Sequence, residues 1–286
     1  KLYWTTNSES RWVIFKKASS LVYYLIGTFD LILVIKKNMS QINISIDCVL
    51  FGYDSDLDLK VLLIKRKYDP TTVAYKDHNS LPGDLIKYDE ELSPAATRIL
   101  ESLTGISDIY LKQFSIFSDP NRVKHPKDQK WLRKFRALKE ERIITVGYIA
   151  LVNIEDFNTD ATYFKDEIIG DLTREGYYEK IWTKVNDIPE LAFDHNYIVE
   201  EALKYLKKEL NHELSSILLP KNFTLPQLQK LYEDILEKKI DKRNFRKQIL
   251  KKGSIVKTKH TTNTGKKGKP ATLYQFNDTI KETVIE

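Results

Sequence analysis

Residues 81–106, "LPGDLIKYDEELSPAATRILESLTGI", decide the fold class of this 286-residue chain. A loop that contains proline and glycine leads into a segment whose apolar residues recur at helical spacing. Ser93 is predicted to be the N-cap of this helix, with Pro94 at its first position and Gly105 at its end. The apolar residues that share one face of the helix are Ala95, Ala96, Ile99, Leu100 and Leu103. The sequence therefore predicts a helix that is buried on one side.

The segments around this helix have the composition of β-strands. Residues 44–53 and 56–67 are rich in leucine and β-branched residues on either side of an acidic turn, which predicts a hairpin. Further strands are predicted at 112–117, at 142–154 and within 177–195, and an amphipathic helix over 196–210. Strands interspersed with helices predict the α+β class, with a mixed sheet sandwiched between helices.

The first 38 residues contain an apolar run at 21–35 that is interrupted by Asp30. The run is shorter than the roughly 20 residues that a membrane span needs, so we expect no membrane anchor. Two alternatives remain: residues 1–38 are an extension upstream of a natural start at Met39, or they add a helix that packs on the following domain.

The single cysteine, Cys48, lies in the apolar context "SIDCVLF" and cannot form an internal disulfide. We therefore expect a reducing, cytoplasmic environment. The five histidines show no metal-ligand spacing, and no metal or cofactor is predicted; they are His78, His125, His195, His212 and His260.

The positive charge of the chain is concentrated at its C-terminal end. Residues 221–281 hold 16 Lys or Arg against 5 Asp or Glu, whereas the rest of the chain is net negative. The change in composition places a domain boundary near 215–221, which divides the chain into an extension at 1–38, a domain at 39–214 and a domain at 215–286. A basic segment of this density attracts phosphate backbones or anionic membrane surfaces.

This basic end has the pattern of two helices followed by a hairpin. Thr224 and Gln227 have the spacing of a capping box, which predicts a helix that ends near Leu236. Asp241 can cap a second helix at 242–252, and two short strands follow at 254–259 and 271–276. The sequence thus predicts a winged helix-turn-helix domain.

The outer face of the second helix is predicted to bind duplex DNA. Phe245 and Ile249 are one turn apart and face inward, which leaves arginine, lysine and asparagine on the side that can enter a major groove. The candidate DNA-binding residues are Gln227, Lys242, Arg243, Asn244, Arg246, Lys247, Lys251 and, in the hairpin tip, Lys266, Lys267 and Lys269. A lysine-rich helix can also be only a solvated surface. A membrane-surface helix would need a broader apolar face, and RNA recognition would favour exposed aromatic residues.

Residues 81–106 resemble the signature of the Nudix hydrolases, G-x5-E-x7-R-E-U-x-E-E-x-G-U, where U is aliphatic. Glu90, Arg98, Leu100, Gly105 and Ile106 match it. Asp84 takes the place of the first glycine, and the three remaining glutamates are replaced by Ile99, Ser102 and Leu103.

The resemblance implies a diphosphate hydrolase whose glutamates hold divalent cations that activate a water molecule. Isoleucine and leucine cannot ligate magnesium. The replacements therefore predict that the domain binds a ligand without cleaving it, so the chain is not expected to be an enzyme. By position near the expected pocket, the candidate effector-binding residues are Lys65, Arg66, Glu90, Asp119 and Arg122.

A degenerate Nudix domain followed by a winged helix is similar to the Nudix-related transcriptional regulators. This group includes repressors that sense ADP-ribose-type ligands and sugar-responsive members, among them an arabinose-responsive one. The strings "LAFDH", "LLPKNFTLPQLQKLYE" and "DKRNFRK" resemble the sugar-responsive branch.

The resemblance implies a homodimer that binds a palindromic operator, with a sugar or ADP-ribose-like effector and a role in carbohydrate utilisation. An active Nudix hydrolase of ADP-ribose-like compounds is the alternative, and a protein that acts on RNA ends is a third. Residues 121–142 are longer and more basic than expected, which is typical of a solvated loop, a pocket lid or an added contact.

Overall fold

A computed structural model describes most of the chain. The described residues are 3–7, 10–17, 20–26, 31–34, 42–54, 56–67, 79–126, 128–129, 132, 142–156, 162–166, 174–262 and 270–277. The chain divides into two compact units, residues 1–41 and residues 42–286.

The first unit is an antiparallel sheet in which each strand pairs with the next along the chain. Its strands are β1 (Tyr3–Asn7), β2 (Ser10–Lys17), β3 (Ser20–Ile26) and β4 (Leu31–Val34). The apolar run at 21–35 therefore belongs largely to two strands, and the predicted alternative of an extra helix is wrong. The apolar residues on either side of Asp30 form short continuous runs without a period, so they do not distinguish a strand from a helix.

The second unit is built on a mixed eight-stranded sheet. Its strands are β5 (Ile42–Tyr53), β6 (Leu59–Lys67), β7 (Asn79–Ser80), β8 (Gly83–Leu85), β9 (Tyr110–Phe117), β10 (Arg142–Asn153), β11 (Thr162–Asp166) and β12 (Arg174–Lys184). The main order is β11-β12-β6-β5-β10-β9, with β7 beside β6 and β8 beside β5. Only the β5–β10 pair is parallel among these strands. The predicted hairpin of β5 and β6 is confirmed.

Helices cover both faces of this sheet, as the α+β prediction requires. They are α1 (Leu92–Thr104), α2 (His195–Glu209) and the short α3 (His212–Leu218). Because side chains alternate along a strand, β5 supplies both cores. Ile46 and Leu50 pack in a cluster with Ile99 of α1. Val49 belongs to the opposite cluster, with Ile198 of α2.

Helix α1 begins two residues earlier than the sequence predicts. Its N-cap is Glu91, not Ser93, and the first helical hydrogen bond runs from the Ala95 N–H to the Glu91 carbonyl at 3.0 Å. Proline is tolerated throughout the first turn because those N–H groups have no helical partner, so Pro94 did not fix the start. The Ser93 hydroxyl lies 3.4 Å from the hydroxyl of Tyr148. The predicted end at Gly105 is confirmed, with a left-handed φ of 71°.

The C-terminal part forms two further helices and a hairpin. They are α4 (Leu225–Leu236), α5 (Lys242–Lys252), β13 (Ile255–Thr261) and β14 (Thr272–Phe276). The predicted capping box at Thr224 is present, and Phe223 pairs with Tyr274 beside the hairpin. This arrangement is the predicted winged helix.

One apolar cluster runs without a break from the main sheet into the winged helix. It contains Phe51 of β5, Leu214 of α3, Ile235 of α4 and Phe245 of α5. Helix α3 spans the position where the sequence predicts the domain boundary, so a helix stands there in place of a linker. In the part of the chain that the structure describes, no helix has the length and apolar character to cross a membrane.

Candidate functional site

Two of the three changed signature positions on α1 pack in the apolar core. Ile99 is completely buried, and Leu103 packs against the same cluster. The exposed Ser102 donates its hydroxyl to the Ile99 carbonyl at 3.0 Å. A divalent cation needs several oxygen ligands, and these residues do not supply them. The donor set therefore does not fit the magnesium ions that the Nudix resemblance implies.

Glu90, the remaining signature glutamate, is held by Arg98 of α1. The Arg98 Nε and Nη2 atoms donate to the two carboxylate oxygens, each at 2.6 Å, and the Lys87 N–H donates at 3.1 Å. Hydrogen bonding by Arg98 lowers the pKa of Glu90 to about 2. Arg98 also donates to the Leu85 carbonyl at 3.3 Å. The pair thus fixes the loop before α1 to the helix.

The other predicted effector residues occupy separate places. Lys65 is half-buried on β6, opposite Glu179 of β12 in the strand register. Arg66 is the next residue on β6, and its side chain lies outside the described residues. Asp119 is exposed and accepts a hydrogen bond from the Asn121 N–H at 2.7 Å, which closes a turn.

Arg122 is buried in a polar cluster that the sequence analysis did not predict. Its side chain is 4% exposed and forms a two-pronged ion pair with Asp194, at 2.6 and 2.8 Å. It also donates to the Thr145 hydroxyl at 2.5 Å and lies 3.9 Å from a carboxylate oxygen of Asp47. Arg122 therefore joins β5, β10 and the segment before α2.

The same cluster reaches the loop that precedes α1. His195 accepts a hydrogen bond at Nδ1 from the Leu81 N–H at 3.0 Å, while its Nε2 lies 3.5 Å from Asp47. A Cβ atom on Gly83 would lie 1.9 Å from the Asp47 carboxylate, so only glycine fits at this position. The sequence signal for the cluster was a charged residue, Asp47, inside the apolar stretch that forms the buried part of β5.

A polar cleft of about 620 Å³ separates the end of the sheet from the winged helix. Its walls are the start of β6, the end of β12 with the turn at Val185–Asp187, and the outer side of α4. Lys184 pairs with Asp58 at 2.7 Å on the sheet side, and Lys230 pairs with Asp234 on α4. Burial raises the pKa of Asp234, and its Oδ2 is buried without a hydrogen-bond partner.

Helix α5 presents a cationic surface on the side away from its buried residues. Phe245 and Ile249 are buried. Asp241 caps the helix by accepting the Asn244 N–H at 2.8 Å, and Gly253 ends it with a φ of 68°. The predicted DNA-binding residues of this helix, Lys242, Arg243, Asn244, Arg246, Lys247 and Lys251, are all exposed.

The remaining predicted DNA contacts differ in setting. The Gln227 side-chain carbonyl accepts the Thr224 N–H at 2.7 Å as part of the capping box. Lys257 and Lys259 on β13 are exposed and extend the basic surface along the hairpin. The hairpin tip with Lys266, Lys267 and Lys269 lies outside the described residues.

Known proteins match both parts of this architecture. Residues 216–276 match the family described as the NrtR DNA-binding winged helix domain. The crystal structure of Shewanella oneidensis NrtR complexed with a 27mer DNA superposes with a TM-score of 0.56 at 25% identity, covering 82% of this chain and 93% of that one. The chain is a Nudix-like domain followed by a winged helix domain. The predicted fold class is confirmed.

Two curated relatives extend the comparison. The ADPR responsive transcriptional repressor NtrR of Acinetobacter baylyi is 28% identical over 237 residues, which is 81% of each chain. The ADP-ribose pyrophosphatase of Methanocaldococcus jannaschii is 23% identical over 148 residues, 52% of this chain and 68% of the relative. The predicted similarity to the arabinose-responsive branch finds no support in these comparisons.

Proposed function

We propose that this protein is a transcriptional repressor that binds duplex DNA through its winged helix domain and releases it when the Nudix-like domain binds an ADP-ribose-type ligand. The observation that carries the proposal is the exposed cationic face of α5, whose buried side shares a core with one face of the main sheet. The signature helix α1, without its metal-binding glutamates, packs on the opposite face of that sheet. The chain is proposed to bind its ligand without hydrolysing it.

The DNA-binding half rests on charge and geometry. A capped helix with Arg243, Asn244 and Arg246 exposed offers the side chains that pair with guanine and adenine edges in the major groove. The exposed lysines of β13 suit contacts to phosphates beside the groove. The similarity to a repressor and to a DNA complex of a related fold supports the same function.

From the sequence, either a sugar or an ADP-ribose-like effector is expected, and the named relatives favour the second. Both curated relatives are named for ADP-ribose, one as a repressor and one as a pyrophosphatase. We therefore favour an ADP-ribose-type effector over arabinose, and control of genes other than those of carbohydrate utilisation. Lys65 and Arg66 remain candidate contacts near the ligand, whereas both carboxylate oxygens of Glu90 are engaged by Arg98. Arg122 and its partners are better suited to hold the loop before α1 in place, because Arg122 is buried and fully engaged.

We further propose that two copies bind a palindromic operator and that occupancy changes the setting of the winged helix domains. Strands β6 and β12 pair along their length, with Lys65 opposite Glu179 near one end and Lys60 opposite Lys184 at the cleft beside α4. A displacement of these two strands near Lys65 is thereby passed along them to the cleft. A change in the angle between the two winged helix domains of such a dimer alters the spacing of the DNA half-sites that they fit.

The test combines DNA and ligand binding on the full chain. Duplexes from the neighbourhood of its own gene are titrated with protein, alone and with ADP-ribose or arabinose. The proposal is supported if one duplex binds tightly and if ADP-ribose, but not arabinose, weakens that binding. It is contradicted if no such duplex is bound selectively. Arg243→Ala and Arg246→Ala should each cost about 1–3 kcal/mol of specific binding. The control Lys204→Ala, on the exposed side of α2, should leave binding unchanged.

The similarity to an ADP-ribose pyrophosphatase supports one second candidate, hydrolysis of ADP-ribose-like compounds. The two functions separate in one assay, release of AMP from ADP-ribose with magnesium present. Multiple turnover at a rate typical of enzymes would favour the hydrolase. The absence of turnover would favour the repressor.

A further inference from the structure

Helix α5 carries one side chain that its cationic surface does not explain. Among its 11 residues, all within the described part of the chain, Leu250 is the exposed aliphatic one, with 42% of its surface open to solvent. The other apolar residues of the helix, Phe245 and Ile249, are buried at 1% and 0% exposure.

Leu250 lies on the same stripe of the helix as two of the proposed DNA contacts. At 3.6 residues per turn, positions four and seven residues after Arg243 fall within about 60° of one another around the axis. These positions are Lys247 and Leu250. The stripe is opposite the side that Phe245 and Ile249 bury, so Leu250 faces the same way as Arg243, about two turns further along α5.

The chemistry of the major groove limits what this side chain can recognise. Arginine, lysine and asparagine bind base edges by hydrogen bonds, and leucine has no polar atom to offer. The apolar group that base pairs present in the major groove is the 5-methyl group of thymine. Contact with a methyl group removes apolar surface of both partners from water, whereas a cytosine or a uracil at the same place leaves a gap.

We propose that Leu250 is a specificity-determining residue that contacts a thymine methyl group in the operator. Seven residues of helix span about 10 Å, so this thymine lies within about three base-pair steps of the base that Arg243 contacts. The inference rests on the proposed DNA-binding function and adds to it the identity of one base.

The experiment begins with a duplex that the full chain selects from a random-sequence pool. Each thymine of that duplex is replaced in turn by deoxyuridine, which removes only the methyl group. One replacement in each half-site should weaken binding about fourfold, as expected from the burial of about one methyl group. That thymine should lie within three base pairs of a position whose recognition is relaxed by Arg243→Ala.

Variants of the protein then assign the effect to Leu250. Leu250→Ala should bind the thymine and deoxyuridine duplexes equally, and Leu250→Met, which keeps an apolar tip, should restore most of the difference. Val256→Ala removes a side chain of similar exposure, 44%, from β13 outside the helix and should keep the fourfold difference. Circular dichroism melting of each variant checks that the fold is unchanged.

The outcomes separate this inference from the function on which it rests. If no thymine replacement weakens binding, or if Leu250→Ala keeps the same preference for thymine, the inference is wrong and the repressor proposal stands. Leu250 then only favours the helical conformation of α5. If no duplex is recovered from the pool, both are wrong.

Discussion

Lys184, the last residue of β12, pairs with Asp58 at 2.7 Å on the wall of the cleft that faces α4. Asp58 immediately precedes β6, so the pair ties together the ends of the two strands whose far parts hold Lys65 and Glu179. Such a contact can transmit a shift between the candidate ligand site and the winged helix domain.

Lys184→Met should therefore weaken the response of DNA binding to ADP-ribose more than DNA binding itself. Substitutions along a coupled contact change coupling by about 0.5–2 kcal/mol. An exposed ion pair adds little to stability, so the variant should fold normally. The measurement is the ratio of dissociation constants for one operator duplex with and without saturating ADP-ribose.

Lys204→Met provides the matched control, because Lys204 pairs with Glu201 at the same 2.7 Å on the surface of α2, away from the cleft. It should leave the ratio unchanged. Equal ratios in both variants would show that the pair at the cleft has no part in transmission.

A second prediction concerns the buried cluster around Arg122. Replacement by methionine keeps much of the side-chain volume but leaves Asp194 and Asp47 without their cation. Removal of one partner from a buried ion pair costs about 3–5 kcal/mol. Arg122→Met should lower the free energy of unfolding, measured by urea titration, by that amount.

The comparison is Arg142→Met, which removes an exposed arginine that donates to the Ser118 carbonyl at 3.2 Å. Surface changes of this kind stay within about 0.5 kcal/mol. If the two variants lost the same stability, the buried ion pair of Arg122 would add no more to the free energy of unfolding than a surface contact.

The sequence predicts well those elements whose determinants are local. Thr224 with Gln227, Asp241 and Gly253 each act within one helical turn, and the structure confirms the boundaries they predict. Residues 21–35 gave no such signal, because the short apolar runs on either side of Asp30 have no period and fit a strand or a helix equally. Helix α1 begins two residues before its predicted start because Ser93 and Pro94 suit any place in a first turn.

The candidate site depends on contacts between distant residues, which a single sequence does not reveal. Arg122 and Asp194 are 72 positions apart, and they meet because Arg122 follows β9 while Asp194 precedes α2, which packs in one cluster with β9. The sequence marks Arg122 as a candidate because of its position, but it does not predict that the side chain is buried. The loss of signature glutamates was visible in sequence, whereas the engagement of Glu90 by Arg98 required the structure.

The Glu90–Arg98 pair predicts a dependence of stability on pH. The folded-state pKa of Glu90, about 2, lies below its unfolded value of 4.5. The stabilisation is therefore fully present above about pH 5 and is lost as the pH falls toward 2. Glu90→Gln should be less stable than the parent protein at pH 6, and the difference should shrink when both are measured at pH 3.

The control for this effect is Glu101→Gln, which neutralises an exposed carboxylate on the same helix. Urea titrations at pH 6, 4 and 3 on the three proteins give the comparison. A constant difference between Glu90→Gln and the parent protein across this range would contradict a pair that holds the carboxylate ionised.

Removal of divalent cations tests whether the changed signature has turned the domain from catalysis to binding. Ile99 and Leu103 are committed to the apolar core, and the Glu90 oxygens are engaged by Arg98, so a bound diphosphate has to be neutralised by lysine and arginine side chains. ADP-ribose affinity measured by calorimetry should therefore differ by less than about twofold between magnesium and EDTA, a change of about 0.4 kcal/mol. It should fall with rising salt, since screening weakens contacts between exposed charges. A loss of affinity of tenfold or more in EDTA would mean that ligands outside α1 hold a cation, and the domain would then retain the means to activate water.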